Sequence, residues 1–187
     1  MTSDQVTDQQ IMADIAPGKK QHMVHLINRY QNKAMATAYR MLNRWDMAED
    51  ITQEAFLRIY KSASKYSPDA QFSTWFYRIV VNLCTDKLRS LQRQNKAKKE
   101  FLTQAQDHLY LDSPAKAQVC KETQHAVHQA LDMLNERERI AVILHRFEGL
   151  SHKQIAQINK CSRSAVESLL VRAYKKLRIS LKNYENH

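Results

Sequence analysis

The residues best placed for chemistry lie between Phe72 and Arg89, FSTWFYRIVVNLCTDKLR. Arg78, Asn82 and Asp86 recur four residues apart, which lines them along one face if the stretch is helical. Lys87, Arg89 and, one turn on, Arg93 add positive charge. Trp75 and Phe76 sit in the first turn behind a candidate N-cap, Ser73. Polar edges, cations and aromatic rings on one surface suit an unstacked nucleic-acid strand, whose bases stack and hydrogen-bond and whose phosphates need neutralising. Trp75, Ile79 and Leu83 repeat at the same interval on another face and would hold the helix in a core. An ordinary amphipathic helix with a solvated face accounts for the same spacing, so this stretch alone leaves both readings open.

A second signal is acidic. Glu49, Asp50, Gln53 and Glu54 share one side of a helix expected to open at Asp46, where Asp46 and Glu49 have the spacing of a capping box. In a chain of formal net charge +10 this cluster is out of character. Complementing the helix N-terminus explains part of it, and a docking face for a basic partner explains the residues past the first turn. A third signal lies between Ser151 and Arg178. Ser151 with Gln154 makes a capping box for a short helix, and Asn159-Lys160-Cys161 supplies a turn. Ser162 caps a longer helix that ends in Lys175, Lys176 and Arg178. This is a helix-turn-helix pattern, read as DNA-binding in preference to a plain helical hairpin. The turn lacks its usual glycine, so Asn159 or Lys160 must take a positive φ. No phosphate-binding glycine loop, HExxH motif or Ser-His-Asp constellation is present. The pairs His22/His25 and His125/His128 are read as surface histidines, because no carboxylate or thiolate completes a metal site. Neither a cofactor nor a metal is expected, and the chain is not expected to be an enzyme.

The elements that must carry these residues are helical. A helix over Asp4–Ile15 ends at Pro17-Gly18, and a second over Lys19–Leu42 ends on Asn43, a candidate left-handed C-cap. The acidic helix buries Ile51, Ala55 and Ile59, with Phe56 and Tyr60 beside them. Ser67-Pro68-Asp69 breaks it, and the loop leads straight into the Phe72 stretch, as a pocket wall or a plain connector. From Gln94 to Lys116 periodicity fades into a linker, basic first and acidic later, closed by Pro114. Beyond it, Val127, Leu131 and Leu134 form a stripe. Asn135 with Glu138 caps the next helix, and Gly149 follows it at a C′ position. The expected fold is all-α: two small helical domains, residues 1–93 and 117–187, joined by a flexible linker, 94–116, the second domain containing the helix-turn-helix.

The 187 residues include 43% hydrophobic side chains, enough for two small cores, and only 2 Gly and 3 Pro, which favours helix. The basic excess points to a polyanionic partner, nucleic acid before an acidic membrane surface. No apolar run is long enough to cross a membrane, and the polar N-terminus has no signal-peptide character. Cys84, Cys120 and Cys161 are scattered without a CxxC pair, which fits a reducing cytosol.

Three stretches together, AEDITQEAFLRIYKS, FSTWFYRIVVNLCTDKLRS and LNERERIAVILHRFEGLSHKQIAQINKCSRSAVESLLVRAYKKL, resemble the extracytoplasmic-function group of bacterial sigma factors. The likeness spans about residues 4–93 and 115–182. It implies a cytoplasmic, two-domain promoter-recognition subunit of RNA polymerase, with region two first and region four second. On that likeness Asp50, Gln53 and Glu54 dock on the β′ coiled coil of core RNA polymerase, and region four meets the β flap. Ser67, Phe72, Trp75, Arg78, Asn82, Asp86, Lys87 and Arg89 meet the −10 element of promoter DNA. Asn82 and Asp86 match base-reading positions, and the loop Ser67–Phe72 matches the one that captures a flipped base. Ser162, Arg163, Ser164, Glu167, Ser168, Arg172, Lys175 and Lys176 meet the −35 element. An anti-sigma protein is the implied inhibitor, and no membrane insertion is implied. The sequence departs from the family at Ser164-Ala165-Val166-Glu167-Ser168-Leu169, where many members carry a GTV triplet followed by arginines. Glu167 cannot hold a phosphate; it accepts from a cytosine amino group or faces away. The rival reading is a helix-turn-helix regulator that binds duplex DNA without polymerase.

Overall fold

The computed structural model describes residues 6–16, 19–67, 71–101 and 126–181, and every regular element among them is helical. The first unit contains α1 (Asp8–Ile15), α2 (Met23–Leu42), α3 (Trp45–Lys61) and α4 (Phe72–Phe101). The second contains α5 (126–132), α6 (Glu136–Val142), α7 (His152–Asn159) and α8 (Arg163–Leu181).

Local chemistry sets most of the ends. Thr7 and Gln10 form a reciprocal capping box for α1, which starts later than the sequence suggested. Asn43 ends α2 at φ 52°, the left-handed cap its position implied. The expected caps of α3 and α4 are different. Arg44, in extended backbone, is the N-cap of α3, and Asp46 lies inside the first turn, where its carboxylate accepts from Arg44 at 2.6 and 3.1 Å. Helix α4 begins one residue before Ser73: the Gln71 carbonyl accepts from the Thr74 and Trp75 N–H groups at 3.0 and 3.3 Å. In both places the N-cap lies two residues upstream, and the short polar side chain falls within the first turn.

Helix α4 is 30 residues long. It therefore continues past Gln94, where periodicity fades. Residues 92–96 are exposed, and a helix stretch without a buried face has nothing to imprint a period on its sequence. Its buried stripe is Phe72, Phe76, Val80 and Cys84, one residue offset from Trp75 and Ile79, which are half-buried at the rim. Phe76 is fully buried, with ring centroids of Tyr30 and Phe56 at 4.7 and 6.0 Å. Ala34, Ala38, Ala55 and Ile59 complete this core. Burial pushes the Cys84 thiol up to about 12, so it stays protonated and inert.

In the second unit Asn135 and Ser151 head α6 and α7 with full capping boxes, and the Ser162 hydroxyl accepts the Ala165 N–H at 3.1 Å. Lys160 takes φ 52° and supplies the positive turn residue that no glycine provides. Between α6 and α7 a π-helical turn, Ile143–Phe147, delivers Glu148 and then Gly149 at φ 67°. A side chain at Gly149 would meet nothing within 4 Å, so the glycine is needed for its backbone angle alone.

The two units touch. Helix α7 packs on α4, and the π turn packs on α2. Arg139 of α6 donates to the Met41 carbonyl at 3.3 Å, capping the last turn of α2 from the other unit. His128, expected at the surface, is 7% exposed, with its ring edge-on to Tyr39 at 4.7 Å. Nothing in its sequence spacing reveals this, because its neighbour comes from another domain. His125 lies outside the described residues. Among the described residues no helix is long and apolar enough to cross a membrane.

Candidate nucleic-acid interface

The outer face of α4 presents Arg78, Asn82 and Asp86 to solvent. None of the three forms a hydrogen bond or ion pair with another described side chain, so their polar edges stand open along roughly two turns. Trp75 is half-buried, its ring wedged between Tyr66 and Phe72 at centroid distances of 5.3 and 6.0 Å. Lys87 is half-buried. Arg89 is exposed and reaches across to Glu136 of α6 at 3.1 Å. Phe72 does not join this surface: at 2% exposure it belongs to the core, beneath Trp75 and beside Tyr30. The family likeness placed it among the residues that meet the −10 element, but its place on the buried stripe of α4 makes it a support. Ser67 lies exposed at the edge of the described loop.

A small hollow of about 220 Å³ opens at the start of α4, lined by Thr7, Asp8, Gln9, Gln71, Phe72 and Ser73. The α1 residues were absent from the sequence-based site. Their signal was the Thr7-x-x-Gln10 capping box, which fixes where α1 begins. Asp8 is held by Arg29 at 2.7 Å and by the Tyr30 hydroxyl at 2.6 Å. Gln71 accepts from the Gln154 side-chain amide at 2.7 Å, a contact from the second unit.

The acidic face of α3 is separate. Asp50 and Gln53 are exposed, and Glu54 is half-buried. Arg58, one turn on, donates to Glu54 at 2.8 Å, so part of that charge is already answered. Asp50 forms no ion pair among the described residues and is the most available carboxylate of the group.

On α8 the expected contact residues are exposed, but several are engaged. Arg163 donates to Glu167 at 3.2 Å, and His152 of α7 stands 3.4 Å from the same oxygen. Glu167, the departure from the family pattern, is therefore turned into a local charge cluster. Ser162 and Ser164 share a hydrogen bond at 3.0 Å, and Arg172 donates to the Ser168 carbonyl at 3.2 Å. Lys176 reaches Glu138 at 2.7 Å, and that carboxylate is 2% exposed. Burial alone would raise the Glu138 pKa. The Lys176 hydrogen bond, the Asn135 backbone N–H and the charges of Lys176 and Arg172 outweigh it, so the carboxyl sits below its ordinary range. Lys176 thus anchors the fold, while Lys175 at the preceding position remains solvent-facing.

Between the units lies an apolar groove of about 590 Å³, walled by Met35, Tyr39 and Trp45 on one side and Val127 and Phe147 on the other. Trp45 is 56% exposed there. No group of three or more candidate metal ligands occurs among the described residues.

Comparison with known proteins follows the same division. Residues 26–94 match the family model described as Sigma-70 region 2, and residues 124–177 match Sigma-70, region 4. The RNA polymerase sigma-H factor of Pseudomonas aeruginosa is 32% identical over 175 residues, 90% of this chain and 91% of that one. The ECF RNA polymerase sigma-E factor of Haemophilus influenzae is 30% identical over 177 residues, 91% of this chain and 93% of that one. Among solved structures, CnrH in complex with the cytosolic domain of CnrY aligns with a TM-score of 0.72 at 22% identity, covering 94% of this chain and 97% of CnrH. The sigma factor RpoE of Bartonella quintana, solved with the anti-sigma factor NepR, aligns at 0.67 and 20% identity, covering 84% of this chain and 95% of that one. At these identities the two structures show a shared fold.

Proposed function

Because this chain belongs to the extracytoplasmic-function group of the sigma-70 family, we propose that α3, α4 and α8 divide promoter opening among them in the cytoplasm. The protein is an alternative sigma factor: it binds core RNA polymerase, directs promoter recognition and is not itself an enzyme. We divide the chain into a docking and −10 domain over residues 1–93, whose last helix runs on to Phe101 into the expected connection 94–116, and a −35 domain over 117–187. Asp50, with Gln53 and Glu54, offers acceptors to a basic surface on the polymerase β′ coiled coil. Charge complementarity of this kind sets encounter rate and register.

The polar face of α4 reads the −10 strand. Asn82 offers a donor and an acceptor to a base edge, and Asp86 offers acceptors. Arg78, Lys87 and Arg89 hold phosphates. A base that has left the duplex exposes edges and faces that a paired base hides, so binding it preferentially shifts the DNA toward the melted state. The single observation that carries this reading is the row Arg78-Asn82-Asp86, exposed and unpaired among the described side chains beside Trp75. Helix α8 enters the major groove at the −35 element, with Lys175 as its free cation and with Arg163 and Arg172 exchanging their local partners for phosphate. An anti-sigma protein is the expected inhibitor.

The test is a pull-down of core polymerase by the full chain, followed by transcription from a promoter library. Binding and initiation at promoters sharing −10 and −35 sequences is the expected result. Tight binding to duplex DNA with no affinity for core polymerase would overturn the reading in favour of a conventional helix-turn-helix regulator.

A further inference from the structure

Glu148 stands at the end of the π turn in the second domain, and its side chain is only 5% exposed. Its hydrogen-bonding partners come from the first domain. The Thr37 hydroxyl of α2 donates to one carboxylate oxygen at 2.9 Å, and the Tyr77 hydroxyl of α4 donates to the other. The Arg40 guanidinium lies 3.7 Å from the carboxylate and 4.1 Å above the neighbouring Phe147 ring. Thr37 and Tyr77 are themselves buried, at 0% and 2% exposure. A carboxylate is removed from water only where donors replace it, and here two helices of the other domain supply them. Burial, then the Glu148 hydrogen bond and charge, hold the Tyr77 hydroxyl far above its ordinary pKa, so it remains a donor.

The arrangement has a consequence for DNA. The two promoter elements are, by their names, roughly 25 base pairs apart, which is ~85 Å of duplex at ~3.4 Å per base pair. Here Gln154 of the helix-turn-helix touches Gln71 at the start of α4 at 2.7 Å, and Glu136 occupies Arg89 at 3.1 Å. The two readers are adjacent, and a phosphate-binding candidate is neutralised. Asp50 and Gln53 on α3 remain exposed. The segment 102–125, ~24 residues, reaches at most ~85 Å when fully extended, so the covalent connection permits the separation that this contact prevents.

We propose that Glu148 is the pin of a closed arrangement: inserted between Thr37, Tyr77 and Arg40, it holds the two DNA readers of the free chain too close together to reach both promoter elements, while leaving the polymerase-facing surface of α3 open. Polymerase therefore engages α3 first, and release of Glu148 precedes contact with both promoter elements. The consequence for DNA rests on the sigma-factor reading above; the pin itself does not.

The experiment uses the full chain, free in solution, as wild type, Glu148→Gln and Tyr77→Phe. Small-angle scattering reports the domain separation, and circular dichroism confirms that each variant retains its helices. Tyr77→Phe removes one hydroxyl from a site that keeps its ring, so it reads the pin even if Glu148→Gln misfolds. Both variants should increase the radius of gyration by several Å over the compact wild type. They should bind a duplex carrying both promoter elements at their natural spacing ~10-fold more tightly without polymerase, while affinity for core polymerase and for a single-stranded −10 oligonucleotide, whose contact row is open in either form, stays within ~2-fold. Unchanged scattering in a folded variant, or a wild type already as extended as the variants, overturns the pin. A wild type that neither binds core polymerase nor initiates transcription overturns the sigma-factor reading instead, and the scattering result stands apart from it.

Discussion

Helices α4 and α8 are both offered to DNA, yet they hold their polar groups differently. On α4, Arg78, Asn82 and Asp86 are exposed and form no pair with any described side chain. On α8, Arg163 is held by Glu167, Ser162 by Ser164, and Lys176 by Glu138. The roles proposed for the two helices account for the difference. A base extruded from the stack brings its own unsatisfied donors and acceptors, so open edges are ready for it and specificity comes from their placement. A duplex keeps its pairs and offers a charged backbone, and exposed cations on α8 can trade an internal partner for a phosphate at small cost. Surface ion pairs contribute only about 0–1 kcal/mol.

The comparison can be broken most severely from outside both helices. Asp50→Lys with Glu54→Lys should lower core polymerase affinity on the order of 100-fold, since like charges placed against a basic surface cost several kcal/mol. It should silence −10 and −35 use together, which a run-off assay on promoters carrying either consensus element would report. Selective loss at one element would separate the docking role from α3.

The next contrast lies within α8. Lys176→Ala leaves the Glu138 carboxylate, 2% exposed, without its cation. Because Lys176 is itself 45% exposed, solvent screens the pair and the expected loss of stability is about 1–2 kcal/mol, read as a lower melting temperature. Glu138 has a depressed pKa when folded, so its contribution is present above its ordinary value of 4.5 and is lost as pH falls through the lower folded value. The wild-type melting temperature should therefore fall with acid over that window, and Glu138→Gln should flatten the dependence. Lys175→Ala should leave the melting temperature in place, weaken −35 duplex binding at every sequence, and reduce the salt slope by about one. If Lys176→Ala mimics Lys175→Ala, the division between anchor and contact is wrong.

The smallest expected effect is at Glu167. Glu167→Gln frees Arg163 from its 3.2 Å partner and removes a negative charge from the groove-facing turn. Duplex affinity should rise ~2–5-fold, within the range of an exposed ion pair. A loss of preference for one base pair, with no gain in affinity, would instead mark Glu167 as a reader of cytosine.

Much of this organisation was legible in the sequence where a single helix carries the signal. The caps Asn135, Ser151, Ser162 and Asn43 stand where their types and spacing imply, and Lys160 takes the positive φ that the missing glycine required. The exposed row on α4 was likewise written in its own period. Three kinds of feature were not legible. Asp46 and Ser73 have cap chemistry, but helices that begin two residues early, at Trp45 and Phe72, place them in the first turn. Phe72 and Trp75 are both aromatic and three apart, and only packing against Tyr30 decides that Phe72 is core. Glu148, His128 and the polar run beyond Gln94 depend on the other domain or on leaving the core, and neither leaves a trace in local periodicity.

The most direct measurement is a permanganate footprint of unpaired thymines around a cognate −10 element, with core polymerase and either wild type or Asn82→Ala. Wild type should expose a discrete set of reactive thymines. Asn82→Ala should bind core polymerase normally and lose roughly tenfold or more of that reactivity, the scale of one good base contact, about 1–3 kcal/mol. Full reactivity with Asn82→Ala, or loss of core binding in that variant, would contradict the assignment of α4 as the reader of a strand that has left the duplex.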